Sequence, residues 1–123
     1  MSGFSDLRGN LALLLVYLVL AWVLAAFCEE TAFRGYLLTR LTEVLGDSRL
    51  GWVAAVTVSS VLFGLLHTEQ GLVGATVSGI AAAAFAVLRR AFGTLWAPIL
   101  AHGFDDTIGF AWFYLFGPLY GVW

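Results

Sequence analysis

Long uncharged apolar runs constrain this chain more than any other feature. Residues 11–27 are seventeen consecutive residues whose only polar side-chain group is the hydroxyl of Tyr17. As an α-helix they would span roughly 26 Å, close to the bilayer hydrocarbon thickness of about 30 Å. Two more uncharged runs of similar reach follow at residues 50–66 and 71–88, and the apolar segment 91–123 is interrupted only by His102, Asp105 and Asp106. The pattern predicts an all-α, polytopic membrane bundle of about four transmembrane helices.

The composition supports membrane insertion. Of the 123 residues, 61% are hydrophobic and only 11% are charged, with no lysine and a net charge of -2. A soluble domain is about a quarter charged, and four buried core helices would leave this chain without a polar surface. Disorder and nucleic-acid binding are excluded, because they need few apolar residues or excess positive charge. We expect a single domain over residues 1–123, with the lipid bilayer as a partner and no nucleic acid.

The first helix is predicted to continue beyond its apolar run. Apolar residues between positions 33 and 45 fall on one stripe, with Arg40 and Glu43 facing away. A straight helix over residues 11–45 would be roughly 52 Å long, so we expect it to bend or extend after Gly35. Gly46 is a predicted stop, and Asp47 or Ser48 is the predicted cap of the next helix.

The third helix carries a ridge of small residues. Small side chains recur every fourth position, which allows another backbone to approach closely. They are Gly71, Ala75, Gly79 and Ala83. We interpret the ridge as a packing surface within the chain rather than as a dimerisation face.

The arginines indicate an orientation. Arg40 and Arg49 flank the first connection, and Arg89 and Arg90 begin the third. Cytoplasmic loops carry the excess of arginine in membrane proteins. We therefore predict that connections 40–49 and 89–93 are cytoplasmic and that both termini lie on the other side.

Ionisable residues inside the apolar runs mark a candidate site. A charge at the centre of a membrane helix costs roughly 2.5 to 3.5 kcal/mol on insertion scales, so such residues usually line a cavity or pair. Glu30 and Arg34 are four apart and can pair, which leaves Glu29 without a partner in its own helix. Glu29 is therefore the candidate for chemistry.

The second and fourth runs contain the remaining candidates. Phe63 and His67 share a helical face, as do His102 and Asp106, whereas Asp105 is expected to point elsewhere. Two histidines together with acids in separate membrane segments favour a functional site over isolated structural residues.

Three short sequence segments together resemble the motifs of a known protein family. They are EETAFRG at residues 29–35, FGLLH at 63–67 and LWAPILAHGFDD at 95–106. In this order they resemble the CAAX protease and bacteriocin-processing enzyme (CPBP) family of intramembrane glutamic endopeptidases, which includes the Ras-converting CAAX proteases. The family signature is Glu-Glu-x-x-x-Arg, Phe-x-x-x-His and His-x-x-x-Asn or Asp on successive membrane helices. The similarity covers roughly residues 11–116.

The resemblance implies an enzyme and assigns roles to residues. Glu29 and His67 would activate water to hydrolyse a peptide bond of a membrane-associated protein or peptide, of CAAX type or related to bacteriocins. His102 and Asp106 would stabilise the oxyanion. Glu30 and Arg34 would form a supporting ion pair, with Phe63 as a further supporting residue. The resemblance implies no metal or other cofactor, and a location in the cytoplasmic membrane of a prokaryote.

Three alternatives remain open at this stage. A metal-dependent membrane protease would use Glu29, His67, His102 and Asp106 as zinc ligands, although no HExxH helix is present. A non-catalytic immunity or scaffold protein would use the same fold to bind a partner. A proton-coupled transporter is disfavoured by the lack of an internal repeat.

Two features depart from the expected arrangement. An ionised Asp106 would repel an oxyanion, so it could assist only when protonated or by orienting His102. Counting residues from the connections also places Glu29 toward the cytoplasm, His102 near mid-depth and His67 toward the outside. Straight, upright helices would keep the three apart, so their meeting is implied by the resemblance alone.

Overall fold

The computed structural model describes residues 2–118, and all of its long secondary-structure elements are helices. Two short 3₁₀ helices, Ser2–Leu7 and Thr68–Gln70, accompany four long helices. The long helices are α1 (Leu11–Leu45), α2 (Arg49–Leu66), α3 (Gly71–Phe92) and α4 (Trp96–Phe116). The predicted all-α bundle of four helices is confirmed.

Helix α1 is one continuous helix of 35 residues, as predicted. Its first turn is capped by Asn10, whose side chain accepts a hydrogen bond from the Leu13 N–H at 3.1 Å. Ala21–Glu29 and Thr31–Leu37 are π-helical, and the helix returns to α geometry over Leu38–Leu45. Such widened turns are rare and frequently occur at functional sites. Here they surround the two adjacent glutamates, and the helix runs through Gly35 without ending.

The remaining helix boundaries follow local chemistry. Gly46 ends α1 with a φ of 92°, which a glycine adopts without steric cost. Ser48 caps α2 by accepting a hydrogen bond from the Gly51 N–H at 3.0 Å, so Ser48 rather than Asp47 provides the cap. Gly93 adopts a left-handed conformation after α3, with a φ of 67°.

The small-residue ridge of α3 packs against α2. A Cβ added to Gly64 would lie 2.7 Å from the backbone oxygen of Ala75, and one added to Gly79 would lie 3.3 Å from that of Ser60. The two backbones therefore approach through glycines on both helices. The interpretation of the ridge as a packing surface within the chain is confirmed.

Three helices of the described chain are long and apolar enough to cross a membrane. Their bounds are Leu11–Leu45, Arg49–Leu66 and Thr68–Phe92. Large apolar side chains such as Leu72, Ile80 and Ile108 face outward on α3 and α4. These features indicate an integral membrane protein. Helix α4 has 21 residues but contains His102, Asp105 and Asp106, and it is not among the three candidates.

Two apolar clusters hold the bundle together. One cluster joins α1, α2 and α3, and the other joins α1 and α4 through Leu14 and Phe113. A third contact joins α1 to α4. The Trp22 indole occupies the space beside Gly103, and its Nε1–H donates to the Thr107 hydroxyl at 3.1 Å. The glycine beside His102 thus admits a side chain of α1, and the contact fixes α1 against α4.

Candidate active site

A buried carboxylate connects α1 to α4. Glu30 is fully buried, and its Oε1 accepts a hydrogen bond from Arg34 Nη1 at 2.9 Å and another from His102 Nδ1 at 2.8 Å. The Glu30–Arg34 pair follows the predicted spacing of four residues. The bond to His102 spans 72 positions of sequence and orients the ring with Nδ1–H toward the carboxylate.

Aromatic rings surround this cluster. The guanidinium carbon of Arg34 lies 4.8 Å from the centroid of the Phe63 ring and 5.5 Å from that of Phe85. The ring of His102 stacks on Phe85, with centroids 5.2 Å apart and planes inclined by 20°. A guanidinium over aromatic faces gains cation–π attraction, most strongly where water is excluded. Phe63 thus contacts the ion pair directly, which gives the phenylalanine of the second motif a physical role.

His67 is fixed by the same phenylalanine. Its ring stacks on Phe63 with centroids 4.5 Å apart, and Nδ1–H donates to the Phe63 backbone carbonyl at 2.7 Å. His67 immediately follows the last residue of α2. Because Nδ1 is occupied as a donor, a neutral ring carries its lone pair on Nε2, which can accept a proton or hold a water molecule.

A cavity of about 750 Å³ brings the predicted residues to a common wall. Its acidic and histidine lining residues are Glu29, His67, Glu69, His102, Asp105 and Asp106. Much of the remaining wall is apolar and comes from α1, α3 and α4, including Leu24, Val77 and Phe110. Large, mostly apolar cavities with a few convergent polar groups are the usual form of a ligand site.

Glu29 is less buried than its neighbour Glu30. It is half-buried and lies on the wall of the cavity that His67 and His102 also line. Its Oε2 atom is buried and has no hydrogen-bond partner among residues 2–118. A carboxyl group with a free oxygen, on the wall of a cavity that also contains two histidines, is a candidate general base.

The two aspartates of α4 differ from the expectation in one respect. Asp106 lies close to His102, with Oδ2 3.6 Å from Nε2, which is too long for a hydrogen bond and close enough for electrostatic attraction. Asp105 is exposed and was expected to point away, yet it also contributes to the cavity wall. A wide cavity is lined by residues from more than one face of a helix. The spacing of four residues identifies side chains on one face only, so it did not include Asp105.

Residue counting along upright helices also failed to describe the site. It separated Glu29, His102 and His67 by depth, whereas all three line one cavity. Counting measures depth only for helices that run parallel to the membrane normal.

Some features of the site were absent from the sequence prediction. The bond between Glu30 and His102 was missed, because no spacing rule connects residues on different helices. Glu69 and Ser78 on the cavity wall were also missed. Glu69 lies in the HTEQG turn directly after His67, and that proximity is the signal that could have identified it.

A zinc site would need Glu29, His67, His102 and Asp106 to converge on one point. Within residues 2–118, no group of three or more histidine, cysteine, aspartate or glutamate side chains is close enough together to hold a metal ion. The four residues considered as zinc ligands line the same cavity without converging on one point.

The fold and the site together define a polytopic membrane protein whose helices enclose acid and imidazole groups around a largely apolar cavity. Comparison with protein families identifies it further, because residues 11–108 match the family described as type II CAAX prenyl endopeptidase Rce1-like. The match covers most of the chain, and the chain belongs to this family. Comparisons with curated proteins and with solved structures gave no significant match.

Proposed function

We propose that this protein is an intramembrane endopeptidase that hydrolyses a peptide bond of a membrane-associated, CAAX-type protein by activating water with Glu29 and His67. Family membership supports the reaction class and a protein or peptide substrate. The observation that carries the proposal is the position of Glu29, which has one unpartnered carboxylate oxygen within the described chain and shares a cavity with His67 and His102.

In the proposed first step, water lies between Glu29 and Nε2 of His67. Glu29 takes a proton from the water while the water oxygen attacks the scissile carbonyl carbon. The carbonyl oxygen becomes an oxyanion. The carbon–nitrogen bond then breaks, and Glu29 returns the proton to the leaving amine. The immediate products are a carboxylic acid and an amine, and transfer of the acid proton to the amine gives a carboxylate and an ammonium group, so atoms and protons balance.

His102 is proposed to stabilise the oxyanion. Its Nδ1–H is held by Glu30, so a ring that carries a second proton on Nε2 can donate to the developing negative charge. Asp106 lies beside Nε2 and compensates the positive charge of that ring, because the charge of Glu30 is already paired with Arg34. In this proposal Asp106 acts through His102 and has no direct contact with the oxyanion.

Arg34 and Phe63 are proposed as positioning residues. Arg34 shares the Glu30 oxygen that holds His102, and Phe63 contacts Arg34, His67 and His102. Both residues therefore act on the orientation of the two histidines. The orientation predicted from the arginines, with connections 40–49 and 89–93 in the cytoplasm, is part of the proposal.

The test compares Glu29→Gln with Glu43→Gln, a matched change at an exposed glutamate of the same helix. Each full-length variant is reconstituted in lipid vesicles and given a prenylated peptide that ends in a CAAX sequence. Loss of general-base catalysis lowers rates by about 10² to 10⁴-fold, so we expect a loss of this size for Glu29→Gln and near-normal cleavage for Glu43→Gln. Full cleavage by Glu29→Gln would refute the mechanism.

Two further measurements separate the alternatives. Activity abolished by a strong chelator and restored by zinc would favour a metalloprotease. Comparative peptidomics of membranes containing the wild-type or the Glu29→Gln protein identifies the natural substrate as a protein that stays uncleaved only with the variant. Full biological activity of that variant would instead indicate an immunity or scaffold protein.

A further inference from the structure

A second cavity lies between α1, α2 and α3, at the end of the bundle that carries most of the arginines. It has a volume of about 610 Å³ and does not include Glu29, His67 or His102 in its lining. Its charged lining residues are Arg34, Glu43, Asp47, Arg89 and Arg90. We call it the arginine cavity.

Two guanidinium groups at the arginine cavity have unfulfilled hydrogen-bonding capacity. Arg34 is buried, with 3% of its surface exposed, and its Nη1 is bonded to Glu30 while its Nη2 has no acceptor within residues 2–118. Nε of Arg89 is likewise buried without an acceptor in the described chain. Buried donors are nearly always paired in folded proteins, so two such donors beside one cavity point to a ligand rich in acceptor oxygens.

The charges around the arginine cavity favour an anion with a single negative charge. Glu30 compensates Arg34, and Arg40 compensates Glu43 through an ion pair at 2.6 Å. Two arginines, Arg89 and Arg90, then face one carboxylate, that of Asp47. The remaining charge is a single positive one, which a phosphodiester would neutralise. Arginine binds phosphate oxygens through several directed N–H groups.

The surroundings favour a lipid as the source of the phosphate. The arginine cavity is formed where the membrane-spanning helices end, and Trp52 lies in its wall with the Arg90 guanidinium 4.5 Å from its ring centroid. Tryptophan is enriched at the headgroup level of membranes. Exposed apolar side chains, including Leu50 and Phe92, lie on the same ends of the helices. Basic pockets between membrane helices bind lipid headgroups in this way.

We propose that the arginine cavity binds the phosphodiester headgroup of an anionic phospholipid, with Arg89 and Arg90 as the principal contacts. The arginine cavity shares Arg34 with the cluster around Glu30 but includes none of Glu29, His67 and His102, and the proposal does not depend on peptidase activity.

The test measures lipid binding to the full-length protein in detergent by native mass spectrometry. Phosphatidylglycerol is titrated into the wild type, the double variant Arg89→Gln/Arg90→Gln and the control Arg49→Gln. Arg49 is at the same end of the bundle and outside the lining of the arginine cavity. We expect at least tenfold weaker binding by the double variant, a change below twofold in the control, and weaker binding of phosphatidylcholine by the wild type. Equal losses in both variants, or equal binding of the two lipids, would overturn the proposal.

Two more arms complete the experiment. Inorganic phosphate at millimolar concentration should not displace phosphatidylglycerol, and displacement would assign the site to free phosphate. If the glutamine variant fails to fold, Arg89→Lys/Arg90→Lys keeps the charge but removes the directed N–H groups of the two guanidiniums, so it should bind phosphatidylglycerol more weakly than the control Arg49→Lys. Equal binding by these two folded variants would contradict a specific site.

Discussion

Two glutamate–arginine pairs on α1 allow the energy of the buried site to be measured against an internal control. Glu30 pairs with Arg34 one turn later in a fully buried setting, with side-chain exposures of 0% and 3%. Glu43 pairs with Arg40, where the exposures are 53% and 59%. The change from glutamate to glutamine preserves shape and removes one negative charge in each case.

The expected costs differ because the two pairs differ in burial. Glu30→Gln leaves the buried guanidinium of Arg34 without its counter-charge and weakens the acceptor for His102. Breaking a buried ion pair in this way costs about 3 to 5 kcal/mol. Loss of an exposed pair costs about 0 to 1 kcal/mol. We therefore expect a difference of at least about 2 kcal/mol between the variants, which is roughly a 30-fold difference in the unfolding equilibrium constant.

The assay is equilibrium unfolding in mixed micelles with increasing SDS, followed by circular dichroism. A third variant, Glu30→Gln/Arg34→Met, removes both charges and should recover part of the loss, since no uncompensated guanidinium remains buried. If Glu30→Gln and Glu43→Gln differ by less than about 1 kcal/mol, the reasoning about the buried cluster is wrong.

Two further predictions concern packing and orientation. Gly64→Ala should be strongly destabilising in the same unfolding assay, because its Cβ would lie 2.7 Å from a backbone oxygen of α3. Gly35→Ala should cost much less, because its Cβ would meet the end of the flexible Leu95 side chain at 3.2 Å. Equal effects would contradict the close approach of α2 and α3. Cys28→Ala removes the single cysteine of the sequence, so that Ser48→Cys introduces one thiol in the first connection. This thiol should react with a membrane-impermeant maleimide only from the cytoplasmic face. Labelling only from the opposite face would reverse the proposed orientation.

Local features of the fold were predictable from the sequence, because they depend on residues near one another along the chain. The long first helix follows from its apolar run and the amphipathic stripe behind it, and both are present in Leu11–Leu45. Gly46 ends α1 because glycine adopts the required backbone conformation, and Ser48 begins α2 because its short polar side chain caps the first turn. The Glu30–Arg34 pair required only a spacing of four residues.

The π-helical geometry around the glutamates was not predictable in this way. Ala21–Glu29 is an apolar sequence that would equally form an ordinary α-helix. Its widened turns change which direction each side chain faces, so the assignment of faces from α-helical spacing is least reliable where the site lies.

By itself, the sequence determined that the protein lies in a membrane, because its apolar segments are long enough to cross a bilayer. It also determined which residues are available for chemistry, because charges inside apolar segments are costly and mark functional sites. It also determined the family, through three short motifs. Only the tertiary structure decided that His102 bonds to Glu30 and that Glu29, His67 and His102 share one cavity. These contacts join helices far apart in sequence, and their geometry depends on how the helices pack, which no residue spacing encodes.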